Sequence, residues 1–275
     1  MDTLKILFLG DVVGAPGRAM VAKHLAQLQK TYKIDATILN GENSADGKGI
    51  TPRIAQFFIE QGVNVITTGN HVWDKKDIYS YIAQHKDHLL RPANFPSETP
   101  GVGVTSFTVK GKTVAVINLQ GRVFMKEHID CPFKTANSIL TYLRDKTNII
   151  LVDFHAETTA EKYGLAYFLD GKISALVGTH THVQTADERI LPGGTAFITD
   201  LGMAGALNSM IGMKKEPIIQ HFLNQMPVKF SVETTGPFFM TGVVIEVDTQ
   251  TGKAVKIQRI RIDDDQLQVG GDDSI

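Results

Sequence analysis

Five short apolar runs, at residues 6–9, 36–39, 63–67, 148–154 and 173–177, each stop abruptly at a turn rich in glycine and polar side chains. Uninterrupted runs of this length read as strands buried on both faces, the kind that parallel sheets contain. Amphipathic stretches separate the first three. Val21, Leu25 and Leu28 recur at three- and four-residue spacing in a helix ending near Tyr32. Ile54, Phe57 and Phe58 follow Thr51-Pro52, where Thr can cap a helix and Pro opens it. Strand, helix, strand, helix, strand in this rhythm requires right-handed crossovers between parallel strands, which confines the chain to an α/β architecture.

The remainder makes the sheet mixed. Residues 103–109 and 113–119 flank Lys110-Gly111-Lys112, and residues 241–248 and 254–262 flank 249–253; both pairs read as antiparallel hairpins. Helices are expected from Asp74 or Lys75 to Ala83, over 134–144, over 158–169 despite Gly164, and over 215–222, with a further strand at 195–199. The turn at Gly14-Ala15-Pro16-Gly17, the Pro- and Gly-rich 91–103 and the Gly- and Met-rich 203–213 read as loops. No repeat, linker or low-complexity tract divides the chain, so a single domain over 1–275 is expected, with about 263–275 as a frayed tail.

Composition removes several function classes. A formal net charge of -1 offers no bulk attraction to nucleic acid or an anionic membrane. Cys131 is the single cysteine, so neither an intrachain disulfide nor a thiolate cluster for zinc or iron–sulfur can form. No stretch is long and apolar enough for a membrane span, and no signal-like segment opens the chain, so a cytoplasmic protein is expected.

What stands at the strand ends carries the chemistry. These residues are Asp11, Glu42 with Asn43, Asn70 with His71, His155, and the two imidazoles of Gly178-Thr179-His180-Thr181-His182. In an open, mostly parallel sheet, ligands bind beyond the carboxyl ends of the strands, where side chains from successive turns converge. Each residue alone has an ordinary reading, since Asp and Asn favour turns and His often satisfies itself in a core. Their recurrence at five strand ends points to one shared site. The donors are nitrogen and oxygen without sulfur, which suits manganese, iron or zinc over a soft ion. They are too many for one tetrahedral ion. They fit two ions about 3.5–4 Å apart that share a carboxylate and a bridging water or hydroxide, an arrangement best suited to phosphoester hydrolysis. Residues 14–17 lack both the Lys-Ser/Thr of a P-loop and the spacing of a dinucleotide fingerprint.

In this order, Gly10-Asp11, Gly41-Glu42-Asn43, Gly69-Asn70-His71, His155 and the Gly-Thr-His-Thr-His stretch resemble the motif set of the calcineurin-like metallophosphoesterases. Val13 stands where that family usually has His, Glu42 where the bridging residue is usually Asp, and Val72 where an acid usually follows the Asn-His pair. These departures, with Asn43 after the bridging acid, resemble the YmdB-like branch of bacterial phosphodiesterases, and the likeness runs over nearly the whole chain. The resemblance implies a four-layer αββα sandwich with mixed central sheets and two divalent or trivalent transition-metal ions, iron or manganese ahead of zinc. It places Asp11, Glu42, Asn43 and His182 around one ion, with Glu42 bridging to a second held by Asn70, His155 and His180. It makes His71 the group that protonates the leaving oxygen, or steadies the transition state, during attack by a metal-bridged hydroxide. It further implies nucleotide-type phosphodiester substrates, including 2′,3′-cyclic nucleotides, and assembly as a homodimer or homotetramer.

Two other readings of the same residues stay open: a phosphomonoesterase or protein phosphatase, and a regulatory metal- or nucleotide-binding protein with little catalysis. The first needs a basic pocket, for which Arg122 and Lys48 are the visible candidates. Asn118 also lies near a strand end, and Asp200 is a candidate partner for a ligand histidine. His24, His85, His88, His128 and His221 are expected in solvated or structural roles.

Overall fold

The computed structural model describes residues 2–269. One sheet contains β1 (Thr3–Val12), β2 (Ala36–Asn40), β3 (Val65–Thr67), β10 (Met203–Ala206), β11 (Phe238–Asp248) and β12 (Ala254–Asp264), in the order β12-β11-β10-β1-β2-β3. The other contains β4 (Val104–Val109), β5 (Lys112–Gln120), β6 (Ile149–His155), β7 (Ala175–Thr179), β8 (Arg189–Ile190) and β9 (Ala196–Ile198), in the order β4-β5-β6-β7-β9-β8. Both sheets are mixed: β1, β2, β3 and β10 run parallel beside the antiparallel β11 and β12, and β5, β6, β7 and β9 run parallel between the antiparallel β4 and β8.

The alternation of strand side chains explains the layering. Leu4, Ile6 and Phe8 of β1 meet Val116, Leu151 and Val177 of the second sheet in a core between the sheets. Leu7 and Leu9, one residue out of phase, pack against Val21, Leu25, Phe58 and Ile82. Those side chains come from α1 (Gly14–Tyr32), α2 (Pro52–Glu60) and α3 (Ile78–Gln84). On the far side, Ile117, Val152, Phe154 and Leu176 pack against α4 (Pro132–Leu143) and α5 (Thr159–Leu169). The result is the expected αββα sandwich. Fully burying each such Leu, Ile or Phe contributes roughly 1.5–3 kcal/mol, which is why both faces of the parallel strands are apolar.

Local signals held where they rested on backbone chemistry. Thr51 Oγ1 accepts the N–H of Ile54 at the start of α2 with Pro52 in its first turn, and Thr158 caps α5 by accepting from the N–H of Glu161. Three expectations need correction. Residues 14–17 are the first turn of α1, because Pro16 lies where its missing N–H costs nothing. Residues 203–206 form β10 instead of loop: above Leu9, β11 no longer pairs with β1, and a short strand of Met203 and three small residues fills the gap between them. Asp263 and Asp264 end β12 instead of fraying. Asp264 is buried, its carboxylate bonds Lys23 Nζ at 2.6 Å and His24 at 2.7 Å, and Lys23 first among these holds its pKa well below the usual carboxylate range. Residues 270–275 of the expected tail lie outside the described residues. A sixth helix, α6 (Lys215–Asn224), runs two residues beyond expectation. Among the described residues no helix is long and apolar enough to cross a membrane.

Candidate metal centre

All parallel strands of both sheets end at the same edge of the sandwich, so five turns deliver their polar residues to one place. Asp11, Glu42, Asn43, His155 and His182 are buried, while Asn70, His71 and His180 are half-buried. His155 Nε2 lies 3.1 Å from Glu42 Oε1, 3.0 Å from Asn70 Oδ1 and 3.0 Å from His180 Nδ1. One imidazole nitrogen carries at most one hydrogen, so it cannot satisfy two oxygens and a second imidazole at once. A shared cation can. Among the described residues, Glu42, His155 and His180 are the group of His, Cys, Asp or Glu side chains whose donor atoms lie close enough to hold a metal.

Asp11 lies close enough to His182, His155 and Glu42 to feel their charges. Asp11 Oδ1 is fully buried without a hydrogen-bond partner, as is Asn43 Oδ1. His182 Nε2 is 3.8 Å from Asp11 Oδ1. Glu42 Oε2 accepts the N–H of His71 at 3.1 Å and Asp11 Oδ2 accepts the N–H of His180 at 3.1 Å, so each carboxylate keeps one oxygen outside those bonds. Orphaned buried oxygens are costly, at roughly 1–3 kcal/mol each, unless an ion completes them. The Glu42, His155 and His180 donors therefore fit a cation.

The hydrogen bonds behind the donors fix which atom each presents. His155 Nδ1–H donates to Thr179 Oγ1 at 3.0 Å, whose hydroxyl donates to Asp153 Oδ1 at 2.7 Å; this leaves Nε2 free as a donor atom. Asp153 also accepts from Thr67 and from Asn40 Nδ2, and Asn40 Oδ1 receives the N–H of Glu42, so one buried network ties both sheets to the site. His182 Nδ1–H donates to Ile211 O at 2.9 Å, leaving Nε2 to face Asp11. His180 Nε2 is 3.0 Å from Glu157, leaving Nδ1 beside His155.

His180 and His182 have φ of 104° and 63°, a region costing a non-glycine residue of order 1–3 kcal/mol. The surroundings impose it. Asp200 Oδ2 accepts the N–H of Thr181 between them at 3.1 Å, Oδ1 accepts that of Gly202, and Lys162 Nζ bonds the same carboxylate at 2.7 Å, with both side chains fully buried. Asp200, a candidate partner for a ligand histidine, thus bonds the backbone between the histidines instead of an imidazole. At Gly178 an added Cβ would lie 1.8 Å from Thr199 O, so the strand before the histidines must be glycine to reach this packing.

The electrostatics follow from burial and proximity. For Glu42, burial alone would raise the pKa, but His155 and then His71 outweigh it and hold the carboxyl at about 2. His155 is the converse: burial opposes its charge, Glu42 and Asp11 overcome it, and its pKa rises to about 9. Burial lifts Asp11 to about 7 against the pull of His182 and His155, and burial together with the His155 charge lowers His180 to about 3. Without an ion, Glu42 and His155 form a buried ion pair whose proton occupies a position a cation needs.

His71 stands apart from these donors. Its Nδ1 is 2.9 Å from Asp74 Oδ2, three residues on, and its ring lines a cavity of about 620 Å³ shared with Glu42, Asn43, His180 and His182. Lys48 also lines this cavity. Arg122 does not: its backbone N–H bonds Glu161 on an exposed turn. Asn118 is buried and accepts the N–H of Thr68. Of the five remaining histidines, His221 departs from expectation by lining the cavity.

Thr179 and Asn40 stand within the strand-end motifs but carried no expected role, and Asp153 was not singled out, although it stands two residues before His155 and therefore on the same face of β6, a signal that could have found it. Lys162, inside a helix among other charged residues, carried no such signal.

A family model described as YmdB-like protein matches residues 7–260. The chain is 51% identical over 264 residues to the 2′,3′-cyclic-nucleotide 2′-phosphodiesterase of Bacillus subtilis (strain 168), covering 96% of this chain and 99% of that one. The crystal structure of a novel phosphatase from Mycoplasma pneumoniae is similar with a TM-score of 0.90 and 38% identity, covering 97% of this chain and 96% of that one. A hypothetical protein from Thermus thermophilus is similar with a TM-score of 0.86 and 37% identity, covering 95% of this chain and 100% of that one. A match spanning nearly all of both chains, around a fold whose strand ends gather one set of donors, makes this chain a member of the YmdB-like protein family.

Proposed function

We propose that this protein is a metal-dependent phosphodiesterase acting on nucleotide-type diesters, 2′,3′-cyclic nucleotides among them, the activity named for its relative from Bacillus subtilis. The observation that carries the reading is the cluster of Glu42, Asn70, His155 and His180 donors, with unpartnered buried oxygens on Asp11 and Asn43 and with His182 facing Asp11; in this reading Asp11, Glu42, Asn43 and His182 would hold one ion and Glu42, Asn70, His155 and His180 a second. Iron or manganese suits these nitrogen and oxygen donors best, with zinc also accommodated. Two such ions, when bound, polarise phosphoryl oxygens and lower the pKa of water. The chain's own groups do the rest. The Thr179–Asp153 relay and Ile211 O hold the imidazole tautomers, Asp74 orients His71, and His71 Nε2 carries a proton to the leaving oxygen.

A diester carries one negative charge and a monoester two. Among the described residues lining the cavity, Lys48 is the single lysine or arginine, while Glu42 and Glu157 are carboxylates. That balance favours the diester over a phosphomonoesterase or protein-phosphatase reading. The absence of cysteine ligands and the single Cys131 support a cytoplasmic enzyme, and a homodimer or homotetramer remains part of the proposal, tested by light scattering.

The test combines metal content with turnover of 2′,3′-cyclic AMP, with and without Mn²⁺. His71→Ala should keep its metal and lose turnover about 10²–10⁴-fold. Glu42→Ala should lose both ions together. Metal-loaded wild type no faster than His71→Ala would refute the reading, and would leave a regulatory binding protein.

A further inference from the structure

The cavity that holds the metal donors at one end has a second end of different chemistry. Its wall there is formed by Ile211, Met213, Ile218, His221, Phe222 and Phe230. These residues belong to an excursion between β10 and β11, closed at its base by the N–H of Leu207 bonding Pro237 O at 2.8 Å and crossed by Lys214 N–H to Ser231 O and Glu233 N–H to Gly212 O. The excursion is joined to the site itself through the His182–Ile211 hydrogen bond. His221 is held by its own Nδ1–H donating to Met226 O at 2.7 Å, and its ring centroid lies 6.2 Å from that of Phe222 and 6.4 Å from that of Phe230. Phe222 is 67% exposed and Phe230 is 44% exposed. Large aromatic faces left open inside a cavity, beside a buried polar centre, match a ligand with a planar apolar part and an anionic part.

We propose that Phe222 and Phe230, with His221 between them, form the subsite for the nucleobase of the substrate, stacking it while the phosphodiester occupies the donor end of the same cavity. The proposal rests on the phosphodiesterase reading. A second phosphate is a poor occupant of this wall, because its members carry no lysine or arginine. Stacking is also tolerant of base identity, since every base presents a π face. The subsite therefore distinguishes nucleotides from base-free diesters more than one nucleotide from another.

The test compares 2′,3′-cyclic AMP with the 2′,3′-cyclic phosphate of methyl riboside, which keeps the reacting group and lacks the base. In Phe222→Ala and Phe230→Ala the ratio of kcat/KM for the nucleotide to that for the base-free diester should fall about 5- to 150-fold, the loss of one base–aromatic stack, and mainly through KM. Phe222→Trp and Phe230→Tyr should restore it. An equal loss on both substrates, or an unchanged ratio, overturns the subsite, as does a variant whose only effect is a changed oligomeric state by light scattering, which would assign the wall to a second copy of the chain. If wild type turns over neither diester, the phosphodiesterase reading fails. Tightness of 5′-AMP binding by titration calorimetry, wild type against Phe222→Ala, then decides the subsite separately, with equal affinities refuting it.

Discussion

Gly69→Ala isolates the geometry on which the metal centre depends. Gly69 lacks a positive φ, so alanine strains no backbone there, and the perturbation is purely steric. An added Cβ would lie 2.2 Å from His155 Cδ2 and 2.4 Å from Nε2, whereas ordinary contact begins at 3.4 Å. The ring must retreat by 3.4 − 2.2, or about 1.2 Å. It cannot do so freely: His155 is fully buried, and its Nδ1 is tied through Thr179 to Asp153. Displacing a donor atom by about 1 Å costs on the order of 10²-fold in rate, and overpacking a rigid core costs about 1–3 kcal/mol. The variant should therefore bind the ion between His155, His180 and Asn70 at least tenfold more weakly, keep the ion at Asp11 and His182, and melt roughly 2–10 °C lower. Plasma mass spectrometry gives the stoichiometry, calorimetry the melting temperature, and turnover of 2′,3′-cyclic AMP the rate. Gly164→Ala is the control, since its Cβ would meet nothing nearer than Phe133 at 3.4 Å and a helix interior favours alanine. A Gly69→Ala protein with both ions at wild-type affinity and a rate within twofold would show that His155 is not held where this chemistry needs it.

Metal binding should depend on pH through the Glu42–His155 pair. The His155 pKa is raised to about 9, so in metal-free protein its contribution is fully present below its ordinary value near 6.5 and is lost as pH rises through 9. Glu42 is lowered to about 2, so its contribution is present above its ordinary value and is lost only as pH falls towards 2. A cation needs His155 Nε2 deprotonated, so the rise in melting temperature on adding Mn²⁺ should grow between pH 6.5 and 8.5; an increment independent of pH in scanning fluorimetry would contradict this. Lys162→Met leaves Asp200 buried and unpaired and should cost about 3–5 kcal/mol in urea denaturation, while Lys162→Met combined with Asp200→Asn should recover part of it. Equal losses in the single and double variants would show that the ion pair is not what the core requires.

The strand-and-helix order and the candidate donors were legible because each rests on a local rule. Apolar runs must be buried, Thr51-Pro52 can open a helix, and Asp11, Glu42, Asn43, Asn70, His155, His180 and His182 all follow such runs. Parallel strands end at one edge of a sheet, so the convergence of those turns was implied by their order. The tertiary structure decided what depends on partners remote in sequence. β10 exists because β1 and β11 diverge, and a four-residue strand of Met203 and three small residues has no period of its own. Asp264 is ordered because Lys23 and His24 on α1 meet it. Lys162 and Asp200 are buried together because α5 lies over β7, although a helical lysine reads as solvent-facing. The same distinction holds at Gly178 to His182: sequence placed two imidazoles at a strand end, but only the packed structure shows the left-handed backbone that turns His180 towards His155 and His182 towards Asp11, since the Asp200, Asp11 and Ile211 groups that impose it come from three other parts of the chain.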